Sequence, residues 1–178
     1  MEAPVFAVRR THPVRVVPHD RRHTHARTVN ARTSAVAAPG RPAPRPPRAV
    51  HAGDLRLEAW AHTREACIAE AASALAGSFA GPGPLMPEGV TSFEVSAVTD
   101  EELLRAVLLR VIEGILVGGR VPVWIEATAT HTGLRMRCGT AETAQIVRVG
   151  AVPRSVAPQG IRCERTPVGW RCRARIDV

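Results

Sequence analysis

Two aspartates far apart in the chain have neighbours that could make them ligands of a metal ion. Asp54 stands in the segment HAGDLRLEAW (residues 51–60), and Asp177 stands beside Val178, whose free carboxylate adds a second anion within one residue. Like charges this close favour a cation between them. If the first strand of the fold lies near the last, these carboxylates form a cluster of hard oxygen ligands, which suits Ca²⁺, Mg²⁺ or Mn²⁺.

A simpler interpretation needs no metal ion. Arg173 and Arg175 could neutralise Asp177, and Asp54 could cap the turn that leads into its strand. For His51 a functional role and a purely structural role are equally open. It could orient Asp54 or contact a partner, or it could be a loop histidine bonded to nearby backbone.

The charge of the chain is concentrated in its first fifty residues. They hold ten arginines against Glu2 and Asp20, whereas residues 51–178 hold fourteen arginines against fourteen acidic residues. Residues 1–49 also contain eight of the fifteen prolines. We therefore expect residues 1–49 to be a disordered Arg/Pro-rich tail, able to attract RNA phosphates, and residues 50–178 to be a single domain.

The composition also bears on the compartment. No run of eighteen apolar residues is present, and the N-terminal segment has no apolar stretch between its arginines, so neither a membrane span nor a secretory signal is expected. The four cysteines have no C-x-x-C spacing, which argues against a zinc or thioredoxin-type site. We predict a cytoplasmic protein with reduced, buried thiols, in which Cys163 and Cys172 face each other across a hairpin.

The order of elements predicts an α+β fold. Alternation in residues 55–59 indicates a strand, and apolar spacing over residues 61–79 indicates a helix capped by Thr63. A second strand is expected at 91–98, then a helix whose Thr99 and Glu102 form a capping box. The remaining segments, VPVWIEATAT, LRMRCG, AQIVRV, IRCER and WRCRARIDV, look like strands. An antiparallel or mixed sheet packed with two helices follows, with Trp60 and Trp170 expected in the core.

These features resemble the archease family over residues 51–178. That family begins with H-T-A-D-[VI]-G and a strand ending in A-W-G, and HAGDLRLEAWA matches it at His51, Asp54, Ala59 and Trp60. The helices TREACIAEAASAL and DEELLRAVL correspond to its two helices, and VGWRCRARIDV corresponds to its G-W…D-[IV] ending. Because several motifs keep their order and spacing, the resemblance covers nearly the whole domain.

The chain departs from the family pattern in three places. Ala52 and Arg56 replace the threonine and the glycine of H-T-A-D-[VI]-G, and TAQIV stands in place of a D-x-x-x-H patch that precedes the next segment in the family. The family segment K-A-[VI]-T-Y-H-G reads RSVAPQG here, so that Arg154 stands in place of the lysine. These departures indicate either that the contact with a partner has changed or that the activity has decayed.

The resemblance implies a non-enzymatic role. Archeases assist the GTP-dependent tRNA-splicing RNA ligase by promoting guanylylation of the ligase, through an acidic end that carries a divalent ion. In this chain the ligands would be Asp54, Asp177 and Val178, and His51 and Arg154 would contact the partner. The alternative is an RNA-binding or chaperone-like module that uses the basic tail.

Overall fold

The computed structural model describes residues 15–18, 54–81 and 86–178. In this part of the chain, strands β1 to β8 and helices α1 and α2 follow one another as β1 (Arg15–Pro18), β2 (Asp54–Ala61), α1 (Arg64–Phe79), β3 (Gly89–Ser96), α2 (Asp100–Leu116), β4 (Arg120–Ala129), β5 (Gly133–Glu142), β6 (Ser155–Val156), β7 (Arg162–Thr166) and β8 (Gly169–Asp177).

The strands form two antiparallel sheets. A five-stranded sheet has the order β1-β2-β8-β6, with β7 also paired to β8, and a three-stranded sheet has the order β3-β5-β4. Both helices contact both sheets. The predicted α+β class with two helices is confirmed, and the sheet is divided in two because β8 pairs with β2 whereas β5 pairs with β3 and β4.

Both helices begin where their capping residues predict. The Thr63 hydroxyl accepts a hydrogen bond from the amide of Ala66, and α1 starts at Arg64. At α2, Thr99 and Glu102 satisfy each other's backbone amides in the predicted capping box. Neither helix is long and apolar enough to cross a membrane.

The core lies between the helices and the inner faces of the sheets. Strands β2 and β8 alternate strictly, so that every second side chain is buried there while the intervening ones stand on the outer face. The buried side chains of these two strands are Leu57, Ala59, Ala61, Cys172, Ala174 and Ile176. This alternation fixes the face on which the polar residues of the two strands lie.

The predicted thiol pair is present in the hairpin of β7 and β8. Cys163 is the direct cross-strand partner of Cys172, their sulfurs are 3.4 Å apart, and both are free and buried. Hydrogen bonding to neighbouring thiols and burial raise the pKa of Cys172, so this thiol stays protonated. Gly169 closes the hairpin with φ +138, and a Cβ there would stand 2.4 Å from the carbonyl oxygen of Ala61.

Two segments differ from expectation. Arg15–Pro18 forms strand β1 on the edge of the five-stranded sheet, although residues 1–49 were expected to be disordered. The segment AQIVRV is not a strand, because residues 143–145 form a 3-10 turn and the chain after it pairs only briefly with the end of α1. Gly81 donates to the carbonyl of Val147, and Val149 donates to that of Phe79.

Candidate metal centre

Asp54 and Asp177 meet at one end of the five-stranded sheet. Asp54 is the first residue of β2, Asp177 is the last of β8, and the two are direct cross-strand partners. Ser155 of β6 is the partner of Asp177 on its other side. Directly opposed residues project to the same face of a sheet with Cα atoms about 5 Å apart. We call Asp54, Asp177 and Ser155 the acidic row.

Asp177 is held in this row by hydrogen bonds from β6 and the residue before it. The Ser155 hydroxyl donates to Oδ2 of Asp177. The backbone amide of Arg154 donates to the carbonyl oxygen of Asp177 at 2.8 Å. Arg154 therefore lies beside the acidic row with its side chain exposed. Val178 packs partly against the core, which anchors the chain end next to Asp177.

Asp54 has a cation as its neighbour. Nε of Arg175 lies 3.3 Å from Oδ2 of Asp54, an ion pair by distance that lacks the geometry of a hydrogen bond. The metal-free interpretation expected Arg173 and Arg175 to neutralise Asp177. Instead Arg175 contacts Asp54, and Arg173 pairs with Glu164 at 2.9 Å. Asp177 has no ion pair with a described residue, and its recorded side-chain partner is a serine.

The acidic row offers oxygen donors that suit a hard cation, with a serine hydroxyl beside them. In the described residues no group of three or more His, Cys, Asp or Glu side chains is arranged to hold a metal ion. A site here would therefore rest on two side-chain carboxylates, the terminal carboxylate of Val178 and water. Binding of an ion to them stays a prediction. His51 lies outside the described residues.

Arginines occupy the same outer face next to the acidic row. Arg56 is the direct cross-strand partner of Arg175, and Arg173 lies between Glu58 of β2 and Arg162 of β7. A cavity of about 640 Å³ opens here. We call it the arginine groove; its walls include Arg56, Arg171, Arg173, Arg175, Gln159 and Gly160.

Trp60 belongs to this outer face and not to the core. The guanidinium of Arg171 lies over its ring at 5.6 Å, and Nε of Arg171 donates to Glu58 at 2.6 Å. The expectation of a core position was wrong because Trp60 alternates with Ala59 and Ala61, which take the inner positions. Trp170 does pack against the core.

A smaller cavity, of about 360 Å³, lies between α2 and the three-stranded sheet. Its lining includes Phe93, Val111 and Thr140, and the buried Thr140 hydroxyl has no hydrogen-bond partner in the described residues. Burial raises the pKa of the neighbouring Cys138 thiol to about 11, so this cysteine is not reactive. Its charged lining residues are paired, Arg110 with Glu113 and Arg120 with Glu142, so it has no opposed like charges of the kind found on the other sheet.

Sequence reasoning expected Asp54 and Asp177 to meet and named Arg154 as a partner contact, but it missed two neighbours of the acidic row. Ser155 was read only as part of a divergent segment, and Arg56 only as a departure from the family motif. The outward position of Arg56 could have been read from the alternation of β2. Ser155 pairs with Asp177 through β6, and this two-residue strand is too short to be recognised from the sequence.

Comparisons with known proteins agree on one family. The model of the Archease protein family (MTH1598/TM1083) matches residues 49–178. Two curated proteins, each called "Probable protein archease", from Mycobacterium tuberculosis strains CDC 1551 / Oshkosh and ATCC 25618 / H37Rv, are 30% identical over 178 residues. Each of these alignments covers 100% of this chain and 92% of the relative.

A solved structure shares the fold. The solution structure of Methanobacterium thermoautotrophicum protein 1598 superimposes with a TM-score of 0.55 at 15% identity, covering 71% of this chain and 93% of that one. At this identity the likeness speaks for the fold alone. With the family model spanning the whole α+β domain and a curated relative aligned over the full chain, the protein belongs to the archease family.

Proposed function

We propose that this protein is an accessory factor that activates a GTP-dependent tRNA-splicing RNA ligase by promoting guanylylation of the ligase. The acidic row at the end of β2 and β8 would be presented to the ligase with a divalent cation bound. Membership of the archease family supports the accessory role. The observation that carries the proposal is the register of β2 and β8, which places Asp54 directly opposite Asp177.

The physical argument is that opposed carboxylates need a counter-charge. Like charges directly opposite each other destabilise a pair of strands. Arg175 meets this need for Asp54 but not for Asp177, whose recorded side-chain contact is the Ser155 hydroxyl. A hard divalent cation between the two carboxylates would remove the repulsion, and the carboxylate of Val178 could complete its shell with water.

The protein's own residues have defined parts in this arrangement. Ser155 fixes Asp177 by donating to one carboxylate oxygen, which leaves the other oxygen free to bind. Exposed Arg154, beside the row, would contact the partner, as would His51. A bound divalent ion supplies a positive charge that stabilises phosphate oxygens during nucleotidyl transfer in the ligase active site.

The test is a ligase guanylylation assay with radiolabelled GTP. We expect Asp54→Asn and Asp177→Asn each to reduce stimulation about tenfold or more, because each removes a metal ligand while keeping the shape of the side chain. Glu126→Gln is the matched control, since Glu126 is an exposed carboxylate of β4 that pairs with Arg137 at 3.8 Å. It should stimulate like the unchanged protein.

Metal binding is measured separately on the same variants. After treatment with EDTA, the unchanged protein and Glu126→Gln should bind Mn²⁺ in a paramagnetic resonance titration, whereas Asp177→Asn should not. Full stimulation of the ligase by both aspartate variants would contradict the proposal. Lost stimulation with unchanged Mn²⁺ binding would contradict the metal part of it.

The charge distribution favours one other candidate, direct RNA binding. Residues 1–50 carry ten arginines against two acidic residues. Arginine-rich segments bind phosphates with strong salt dependence and little selectivity. If RNA binding is the function, a protein lacking residues 1–49 should lose the salt-dependent RNA binding and, with it, its activity; retained stimulation of the ligase would favour the accessory role.

A further inference from the structure

No anionic residue lies directly opposite Arg56 on either adjacent strand. Its direct partner on β8 is Arg175, a like charge, and its partner on β1 is Val17. Among the described residues, the carboxylates of β2 and β7 form ion pairs with arginines of β8. None of them pairs with Arg56. Two opposed guanidiniums cannot be neutralised by deprotonation, because arginine stays charged.

The nearby carboxylates are already committed along diagonals of the sheet. Glu58 pairs with Arg171, and Glu164 pairs with Arg173. Asp54 pairs with Arg175. On this face the described strands therefore place five arginines, counting Arg162, beside four carboxylates, of which three are paired and the fourth is Asp177 at the end of the sheet. Arg56, over the groove, forms no ion pair with a described residue.

Two donors in the groove form no hydrogen bond. Nε of Arg173 and Nε of Arg175 are shielded from solvent and form no hydrogen bond with a described residue, although Nε of Arg175 lies within ion-pair distance of Oδ2 of Asp54, at 3.3 Å. Shielded donors without acceptors cost free energy, so an acceptor supplied from outside would bind favourably. An anion with several oxygens matches this need better than a neutral ligand.

The groove has room for such an anion. Its volume of about 640 Å³ exceeds that of a phosphate group and extends between β2, β8 and the loop at Gln159. Gly160 has φ +92 and no atom within 4 Å of where a Cβ would stand, so the loop leaves the mouth open. Guanidinium forks bind phosphate oxygens bidentately.

We propose that the arginine groove binds a phosphate-bearing ligand, with one phosphate between Arg56 and Arg175 and the amide of Gln159 at its rim. A nucleotide and an RNA strand both offer this chemistry. The inference goes beyond the ligase-activating role and does not depend on a cation in the acidic row, because none of these contacts uses Asp177.

The experiment measures binding to the full chain in EDTA by calorimetry, with inorganic pyrophosphate, GTP and a ten-nucleotide oligouridylate as separate probes. We expect Arg56→Gln to weaken the Kd of at least one probe about tenfold, as expected for the loss of a charge-assisted contact. Arg56→Lys should retain part of the affinity, because it keeps the charge and loses the fork.

Arg105→Gln is the matched control, since Arg105 is an exposed arginine on α2, outside the groove. It removes the same charge and should leave all affinities unchanged. Arg56 is itself exposed and takes part in none of the ion pairs of β8, so Arg56→Gln should stay folded and unfold at a temperature no lower than that of the unchanged protein.

The probes separate the sources of phosphate. A loss confined to pyrophosphate and GTP identifies a nucleotide site, and a loss confined to the oligouridylate identifies an RNA backbone site. Equal affinities of Arg56→Gln and Arg105→Gln for all three probes would overturn the proposal, as would failure of the unchanged protein to bind any probe at millimolar concentration. Either failure leaves the ligase assay with Asp54→Asn standing, because that assay uses a different row of the sheet.

Discussion

The two sheets differ in the charges that they place opposite each other. In the three-stranded sheet the direct cross-strand partners are complementary, with Glu94 opposite Arg135 and Glu126 opposite Arg137. In the five-stranded sheet Glu58 also faces an arginine, but at the end of the sheet Asp54 faces Asp177, and Arg56 faces Arg175. Opposite charges at paired positions stabilise a sheet, and like charges destabilise it. The three-stranded sheet is therefore electrostatically satisfied by itself.

The difference indicates where external charges would bind. The five-stranded sheet keeps two neighbouring rows of like charge, one negative and one positive, and connects them through the single ion pair of Arg175 with Asp54. A cation on the acidic row and an anion in the arginine groove would each remove a repulsion. Residue arrangements that lower the stability of a fold, such as opposed like charges, are frequently found at functional sites.

The largest effect expected from this comparison is stabilisation by a divalent ion. At a concentration of Ca²⁺ or Mn²⁺ about a hundredfold above its Kd, the free energy of unfolding should rise by about 2.7 kcal/mol. Asp177→Asn should abolish this gain, whereas Glu94→Gln on the other sheet should keep it. Thermal unfolding with and without the ion measures both. An equal gain in the two variants would mean that the ion binds elsewhere.

An intermediate effect is expected from the hydroxyl that holds Asp177. Ser155→Ala removes a hydrogen bond to a charged acceptor and should lower the free energy of unfolding by about 1 kcal/mol. It should also weaken ion binding less than Asp177→Asn does, because both carboxylates remain. Ser92→Ala, at an exposed serine of β3, is the control and should change neither quantity. Urea titrations measure these differences; equal stabilities would contradict a structural role for Ser155.

The smallest expected effect is a change in the free energy of unfolding that has opposite signs for single substitutions on the two sheets. Without metal and phosphate, Arg56→Gln should raise the free energy of unfolding by about 0.2–1 kcal/mol, since it relieves the repulsion with Arg175. Glu94→Gln should lower it by a similar amount, since it leaves Arg135 without the carboxylate that lies 2.7 Å away. Both changes are read from chemical denaturation at low salt. Shifts in the same direction would show that register does not determine the energetics of these faces.

Local patterns were sufficient to predict most of the fold. Thr63, Thr99 and Glu102 mark the two helix starts, because capping depends on hydrogen bonds within four residues. The hairpin containing Cys163 and Cys172 was also predictable, because a two-residue loop determines its register. What the patterns could not show is which strands from distant parts of the chain pair.

The errors have the same physical origin. Strand β1 is four residues long and is separated from β2 by residues 19–53, so its two adjacent valines are too short a signal to stand out among prolines. AQIVRV alternates like a strand, yet Val147 and Val149 are exposed, and their backbone meets the end of α1. At the candidate site, the meeting of Asp54 with Asp177 followed from the family resemblance. The position of Arg56 opposite Arg175 could be known only from the register of β2 and β8.

The position of Trp60 makes events on the outer face visible in solution. The chain has three tryptophans and no tyrosine, so its ultraviolet emission comes almost entirely from indole. Trp60 lies under Arg171 on the face of the groove, while Trp124 lies under Arg137 on the other sheet. A ligand that draws the guanidinium of Arg171 away from Trp60 should change the fluorescence intensity of Trp60. With Trp124 and Trp170 both replaced by phenylalanine, Trp60 would be the one remaining indole and an unlabelled optical reporter for whatever binds beside Arg171.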